Sequence, residues 1–319
     1  MRAEKGDRFA LLLSASLLVL CLVVILWGAF VRFSRSGDGC GESWPLCHGE
    51  ILPEQVGIAT WIEYTHRVTS GIFGIGIGVL LIYVLFFSRM KLQLRNFAIA
   101  AFLFTISEAL IGAGLVLRGM VAENDTVERI FWLAGHLLNT LLLLYFLVGV
   151  VLQSKYDKRK LSFIPSRQFA IPLVAFILLA IAGSLASLSN TLHPSSDLGA
   201  GLAADLSLES PLIVRLRVLH PICGVLFFGL VIYWWKLLTL RFPGMTERLL
   251  WLVGVEVLVG ATTLLMLSPL TAKLLHLFLA DIIWLQLAGS AIVLSERDRL
   301  ERFAGTLGTD PVGAGLSRG

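Results

Sequence analysis

Eight long apolar runs are the feature that most restricts how this chain of 319 residues can fold. Each run approaches the roughly 20 residues that an α-helix needs to cross about 30 Å of hydrocarbon. Their approximate ranges are 9–31, 61–87, 96–117, 130–152, 168–188, 212–235, 249–267 and 272–294. With 56% hydrophobic and 15% charged residues, the composition excludes a water-soluble domain of this size. We therefore predict an all-α integral membrane protein with eight transmembrane helices, the first run being too long for the apolar part of a signal peptide.

The basic residues alternate between the connections in the manner of the positive-inside rule. Most of the 26 Lys and Arg residues fall at the termini and in alternate connections, whereas loops 32–60, 118–129 and 189–211 hold few. This pattern predicts cytoplasmic N and C termini, with these three loops on the outer side of the plasma membrane. The basic residues behind the net charge of +4 are distributed as the membrane topology requires, so we predict no nucleic-acid binding. The charged, then Gly-rich segment 295–319 is predicted to be a disordered cytoplasmic tail.

An internal repeat relates the two halves of the chain. Glu108-Ala-Leu-Ile-Gly-Ala in the third run matches Glu256-Val-Leu-Val-Gly-Ala in the seventh. Histidines recur at corresponding places, His66 with His220 and His136 with His276. Because each unit has four helices, the two units have the same orientation, as in parallel repeats. We predict four-helix bundles in 1–152 and 168–294, joined by a cytoplasmic linker in 153–167.

The four repeated histidines define the candidate site. Their helices run inward from the outer face, and each histidine lies roughly 7–12 Å inside the start of its run. Two imidazoles on facing helices are an arrangement that holds a haem iron axially, so we predict one haem in each half. Arginines near the outer face would bind its propionates. The candidates are Arg67 and Arg129 in the first half and Arg215 and Arg217 in the second.

Hydrogen-bonding core histidines are the alternative interpretation. It explains one histidine in a membrane helix, but not four at equivalent positions of a repeat. Zinc or copper is disfavoured because carboxylates and thiols do not cluster with all four. The remaining histidines, His48 and His193, lie in outward loops, and we interpret both as solvated.

Two cysteines lie in the first outward loop, within Cys40-Gly-Glu-Ser-Trp-Pro-Leu-Cys47. Outside the cytoplasm such a pair favours a disulfide over a metal site. Attachment of a c-type haem before His48 would need a cysteine at position 44, which is Trp44. Cys21 and Cys223 lie within apolar runs and are interpreted as small apolar residues.

Taken together, the eight runs, the Cys40 to Cys47 loop, Glu63-x-x-His66-Arg67 and the three later histidines resemble the haem A synthase family. The resemblance covers about residues 9–294. It implies an oxidoreductase that converts the C8 methyl group of haem O to a formyl group, giving haem A for terminal oxidases. It also implies a role for each site residue: His220 and His276 would bind a haem b cofactor, His66 and His136 the substrate haem, Glu63 would be the catalytic acid, and Cys40–Cys47 a redox-active or structural disulfide.

The implied partners are haem O, the lipid bilayer and an electron donor that the sequence does not identify, with haem O synthase or oxidase assembly factors as candidates. Some members of the family carry a second cysteine pair in the loop before the sixth helix. Residues 190–210 hold none here.

Two other functions remain open at the level of sequence. In a di-haem b electron-transfer subunit both haems would be permanent, but the halves would not need to differ as they do at Glu63 and its counterpart Arg217. A proton-coupled transporter predicts broken helices around a midplane site, whereas these histidines cluster near one surface. For Glu63 the alternative is a structural ion pair with Arg67, and we interpret Glu108 and Glu256 as neutral hydrogen-bonding groups at the interface between the repeats.

Overall fold

The computed structural model describes residues 7–54, 57–88, 92–156, 160–238 and 243–306, without the side chains of 238, 243 and 297–306. This part of the chain forms ten α-helices and no strand. The helices are α1 (Arg8–Phe33), α2 (Ile58–Phe86), α3 (Leu92–Leu117), α4 (Val127–Lys155), α5 (Arg167–Leu192), α6 (Leu198–Leu206), α7 (Leu212–Leu216), α8 (Leu219–Leu238), α9 (Pro243–Leu265) and α10 (Leu270–Thr306). Eight stretches are long and apolar enough to cross a membrane, which confirms the predicted number of spans.

The sixth span differs from the continuous helix that its apolar run predicts. It consists of α7 and α8, separated by a turn at 217–218. Pro221 accounts for this break, because proline lacks the backbone N–H of a helix interior and is tolerated only in the first turn. Starting α8 at Leu219 places Pro221 there, with His220 beside it. The short helix α6, in the preceding loop, was not predicted.

The eight spans form two groups of four. In the first, α1 packs on α2, α2 on α3, α3 on α4, and α4 on α1. In the second, α5 packs on α8, α8 on α9, α9 on α10, and α10 on α5. The contacts of one group therefore correspond one to one with those of the other, which is the arrangement that an internal repeat requires. The repeat axis and the orientation in the membrane stay predictions.

The two groups meet mainly through α4 and α10. Trp284 of α10 is 1% exposed and donates its indole N–H to the backbone oxygen of Leu141 on α4, at 2.8 Å. Phe176 of α5 stacks on the same indole, with ring centroids 5.5 Å apart. Within the first group, Gly149 lets α4 approach Phe97 of α3, since a Cβ there would lie 2.2 Å from the Phe97 ring. Close packing of this kind holds membrane helices together without a hydrophobic driving force between them.

The prediction of a disordered tail in 295–319 is wrong for 295–306. Helix α10 continues through 295–306, whereas 307–319 lie outside the described residues. The sequence of this extension explains the difference. It has no proline, and its one glycine lies at the penultimate position, so its residue types do not interrupt a helix.

Candidate functional site

The histidines of the second group of helices face each other. His220 is at the start of α8 and His276 is in the first turns of α10. Their ring centroids lie 5.9 Å apart, with the ring planes at 71°. In the first group, His66 of α2 and His136 of α4 are near enough to interact electrostatically. The structure thus brings the four predicted histidines together as two pairs.

Each histidine ring packs against a glycine of the preceding span. A Cβ at Gly183 or Gly260 would lie 2.8 or 2.9 Å from Cε1 of the facing ring. In the first group, a Cβ at Gly28 would lie 2.8 Å from the ring of its histidine, and one at Gly112 would lie 3.9 Å away. The pairs are Gly28 with His66, Gly112 with His136, Gly183 with His220 and Gly260 with His276. A hydrogen in place of a side chain therefore makes room for three of the imidazoles, whereas a Cβ at Gly112 would lie at ordinary contact distance from His136.

A carboxylate accompanies one histidine of each pair. Glu256 Oε1 lies 2.9 Å from Nδ1 of His276, and Glu108 Oε1 lies 3.3 Å from Nδ1 of His136. Neither contact is aligned as a hydrogen bond, and Nδ1 of both rings is buried. A carboxylate at this nitrogen orients a ligating imidazole and increases its basicity. The interpretation of these glutamates as groups at the interface between the repeats is wrong, because each contacts a histidine of its own group of helices.

The two glutamates have different surroundings. Glu108 accepts hydrogen bonds from Asn139 Nδ2, at 2.6 Å, and from the hydroxyl of Thr140, both on α4. Glu256 has no such support, and its Oε2 is buried without a hydrogen-bond partner. The charge of Glu108 is therefore shared among three groups, whereas that of Glu256 is directed at His276.

Glu63 is 3% exposed and lies under the disulfide loop. Its Oε2 accepts the backbone N–H of Cys40 at 2.8 Å, and its Oε1 accepts from Arg67 at 2.5 and 3.1 Å. Arg67 also donates to the backbone oxygens of Ser43 and Leu46, both at 2.6 Å. The predicted Glu63–Arg67 pair is thus present, and it ties the loop to α2.

The disulfide between Cys40 and Cys47 is present, and both residues are at most 1% exposed. Gly39 allows the loop to lie close to α2, because a Cβ there would overlap the carbonyl of Ala59 at 2.4 Å. The neighbouring His48 is exposed, as predicted, and bonds to the backbone oxygen of Gly39 at 2.9 Å.

The other three predicted propionate ligands have different surroundings. Arg129 is 4% exposed and donates to the backbone oxygens of Ala122 and Asn124. Arg217 is 7% exposed, pairs with Asp205 and donates to the backbone oxygen of Gly201 at 2.9 Å. The side chain of Arg215 has no hydrogen bond or ion pair to any described residue, and its Nε is buried.

Arg217 organises the loop that lacks cysteines. Besides α6 it reaches Asn190 Oδ1, at 3.1 Å, and Ser195 Oγ, at 3.2 Å. At the start of α6, the N–H of Ala200 donates to Asp197, and this bond lowers the pKa of that carboxyl. The loop also includes His193, which is half-buried with a buried Nε2, so the prediction of a solvated side chain is wrong there.

The sequence did not lead us to predict the four glycines beside the histidines, although a repeated motif contains two of them. Gly112 and Gly260 each follow the repeated glutamate by four residues, which places glutamate and glycine on one helix face toward the same histidine. Gly28 and Gly183 had no repeated motif of their own. Only the neighbouring helix shows which of the 30 glycines is needed for close approach.

The residues present fit a haem in each half. Nδ1 of all four histidines is buried and makes no aligned hydrogen bond, and each ring has a glycine at its side. The rings of His220 and His276 lie 5.9 Å apart on facing helices, so both could bind the iron of one haem. Imidazole is also an appropriate donor for haem iron.

Comparison with known proteins supports this interpretation. A family model described as cytochrome oxidase assembly protein, COX15-CtaA, matches residues 10–288. A haem A synthase of an Exiguobacterium species is 42% identical over 96 residues, which are 30% of this chain and 32% of that protein. Another from Bacillus mycoides is 42% identical over 100 residues, 31% of this chain and 32% of that protein.

A relative that matches a longer part of the chain is named as a different enzyme. A protohaem IX farnesyltransferase of Thermus thermophilus is 33% identical over 277 residues, which are 83% of this chain and 45% of that protein. The chain therefore spans less than half the length of this curated relative.

Proposed function

Because the chain belongs to the haem A synthase family, COX15-CtaA, we propose that it oxidises the C8 methyl group of haem O to a formyl group, giving haem A. The observation that carries this proposal is the presence of two histidine pairs, one in each group of helices, with every ring against a glycine. The family supports a role in haem A biosynthesis, and the differences between the pairs support separate cofactor and substrate sites.

We assign the cofactor site to His220 and His276. Glu256 lies at Nδ1 of His276 with no other hydrogen-bond partner, so it is free to make that imidazole a strong ligand. A ligand held in this way suits a permanent haem b. When bound, haem b would supply one-electron transfer.

We assign the substrate haem to His66 and His136. The contact of Glu108 with His136 is longer, and Asn139 and Thr140 share its charge. His136 is therefore expected to be the weaker ligand, which suits a haem that enters as substrate and leaves as product.

Glu63 is the proposed catalytic acid of the substrate site. It lies one turn before His66 on α2 and therefore shares its face. Both of its oxygens accept hydrogen bonds, from Cys40 and Arg67. Oε2 accepts only the Cys40 N–H, so it keeps a second lone pair that can take a proton.

Haem O carries a farnesyl chain, so we propose that it enters from the bilayer at the plasma membrane, with the Cys40–Cys47 loop on the outer side. Its supplier would be a haem O-producing farnesyltransferase, and oxidase assembly factors would receive the product. The Thermus relative supports the first partner, because it is named as a farnesyltransferase and more than half of its length lies outside the match.

Acid extraction of haem tests the proposal. The full chain is produced in a host that makes haem O, purified in detergent, and its extracted haems are identified by mass. We expect haem A or its alcohol intermediate together with haem b. Haem b alone, with haem O unchanged in the membranes, would indicate a di-haem b electron carrier instead.

A further inference from the structure

Two cationic side chains lie against one aromatic ring between the two groups of helices, near the histidine pairs. Arg32 is at the end of α1, and Lys273 is in the first turn of α10. Both lie against the ring of Phe33, Arg32 Cζ at 5.0 Å and Lys273 Nζ at 4.6 Å from its centroid. Arg32 also donates to Ser184 Oγ of α5, at 3.1 Å. The pair thus joins helices of both groups.

Neither cation has an anionic partner in the described part of the chain. Nε of Arg32 is buried and makes no hydrogen bond to any residue that the structure describes. The charged groups that act most on the pair are themselves cations, Arg129 on Arg32, and Arg32 and Arg35 on Lys273. Arg35 has its own partner, Glu123, at 2.9 Å. Removing unpaired cations from water is costly, so an anion bound here would compensate a real penalty.

Arg32, its partner Ser184 and Lys273 each lie within one helical turn, along their own helix, of a residue of the histidine sites. Arg32 follows Gly28, the glycine beside His66, by four residues on the same face of α1. Ser184 directly follows Gly183, which contacts His220. Lys273 precedes His276 by three residues on α10. A single small region is therefore adjacent to the histidine pairs of both halves.

We propose that Arg32 and Lys273 form an oxyanion site between the halves, and that its occupants are the propionate carboxylates of the haems bound beside it. The inference rests on the proposed function, since it needs haem at the histidines. A guanidinium and an ammonium at one place match carboxylates through charge-assisted hydrogen bonds. The cations predicted for this task at Arg67, Arg129 and Arg217 already bind loop groups.

A comparison of two porphyrins tests this site. The full chain, freed of haem in detergent, is titrated with ferric protohaem and with its dimethyl ester, which lacks the carboxylate charges, and the Soret band is followed. We expect protohaem to bind about tenfold to a hundredfold more tightly, from one or two charge-assisted hydrogen bonds. In the Arg32→Met, Lys273→Met double variant this ratio should fall toward one, through weaker binding of the free acid alone.

Three controls complete the design. Arg32→Lys should retain most of the preference. Arg118→Met removes an exposed cation, paired with Glu128 at 3.1 Å, and should leave the ratio unchanged. Unaltered binding of the dimethyl ester by the double variant demonstrates that the variant is folded.

An unchanged ratio in the double variant, or an equal loss in Arg118→Met, would overturn the site. If the double variant loses bound phospholipid phosphorus while the ratio stays constant, the occupant is a lipid phosphate and the carboxylate assignment is wrong. If the unaltered chain binds neither porphyrin, the proposed function itself fails, and this inference with it.

Discussion

Glu63 shows how one side chain can be placed for two tasks. Three hydrogen bonds, from Cys40 and Arg67, engage both of its oxygens and anchor the disulfide loop. The same carboxyl lies one turn from His66, a proposed ligand of the substrate haem. The two roles therefore predict different results when the partner Arg67 is replaced. If Glu63 only anchors the loop, this replacement should be as harmful as replacing Glu63 itself, and if Glu63 is the acid it should be less harmful.

We predict that Glu63→Gln retains haem but lowers haem A formation by at least about a hundredfold, the usual contribution of a positioned acid or base. Arg67→Met removes the anchor and keeps the carboxyl, so it should retain much more activity. Extracted haems, identified by mass, measure both, with the exposed Glu42→Gln of the same loop as the control. Equal losses in the two variants would reduce Glu63 to a loop anchor.

The carboxylates at the histidine sites lead to a second prediction at this scale. Glu256→Gln keeps the shape of the side chain but removes the charge at His276 Nδ1. We expect about tenfold to hundredfold weaker haem retention and a higher midpoint potential, because a less basic ligand stabilises the oxidised iron less. Redox titration and haem content measure the two effects.

Two further variants are compared with Glu256→Gln. Glu247→Gln changes an exposed residue of the same helix and should have no effect. Glu108→Gln should act more weakly than Glu256→Gln, since Asn139 and Thr140 already bind Glu108. If all three variants have the same potential, the glutamates do not tune the haem.

At the level of elements, pairs of adjacent helices form the sites, because one helix carries the histidine and its neighbour the glycine. The loops that lead into these pairs are fixed by arginines. Arg67 holds the disulfide loop, and Arg217 holds the loop with α6, where cysteines are absent. Each loop is therefore held by an arginine that pairs with a carboxylate and donates to backbone oxygens, and only the first has a disulfide in addition.

We predict that Gly260→Ala displaces His276 and removes haem from the second half. Its Cβ would lie 2.9 Å from the ring, so the imidazole must move. Alanine favours a helix interior over glycine by about 1 kcal/mol, so haem loss would not reflect a weaker α9.

The matched control is Gly254→Ala on the same helix, where nothing lies within 4 Å of the added Cβ. Haem content and the absorption spectrum of both purified variants measure the effect. Full haem occupancy in Gly260→Ala would contradict a ligating role for His276 at this place.

At the level of the whole molecule, the two bundles are held together on the side of α4 and α10, where Trp284 bonds to Leu141. We predict that Trp284→Phe lowers the free energy of unfolding by about 1–3 kcal/mol, through the lost interhelical hydrogen bond and a cavity. Denaturant titration in detergent measures it. Trp251→Phe alters a side chain that is 77% exposed and should be nearly neutral, so an equal effect of both would contradict this role of Trp284.

The sequence by itself determined the eight spans, because the transfer of a long apolar run into hydrocarbon is a property of that run alone. It also identified the histidines and the Cys40–Cys47 pair, whose chemistry is evident from residue type and spacing. The break between α7 and α8 was harder to predict, because Pro221 restricts the helix locally while the apolar run continues across it.

Only the tertiary structure decided which partners meet across helices. Arg67 and Arg32 look equivalent in the sequence, since each lies near the end of a span that leads into the loop 32–60. The rotation of each helix and the path of the neighbouring loop give Arg67 two backbone oxygens and Glu63, and leave Nε of Arg32 buried without a partner. Contacts between helices depend on these rotations, which local hydrophobicity does not specify, because lipid and protein are similarly apolar surroundings.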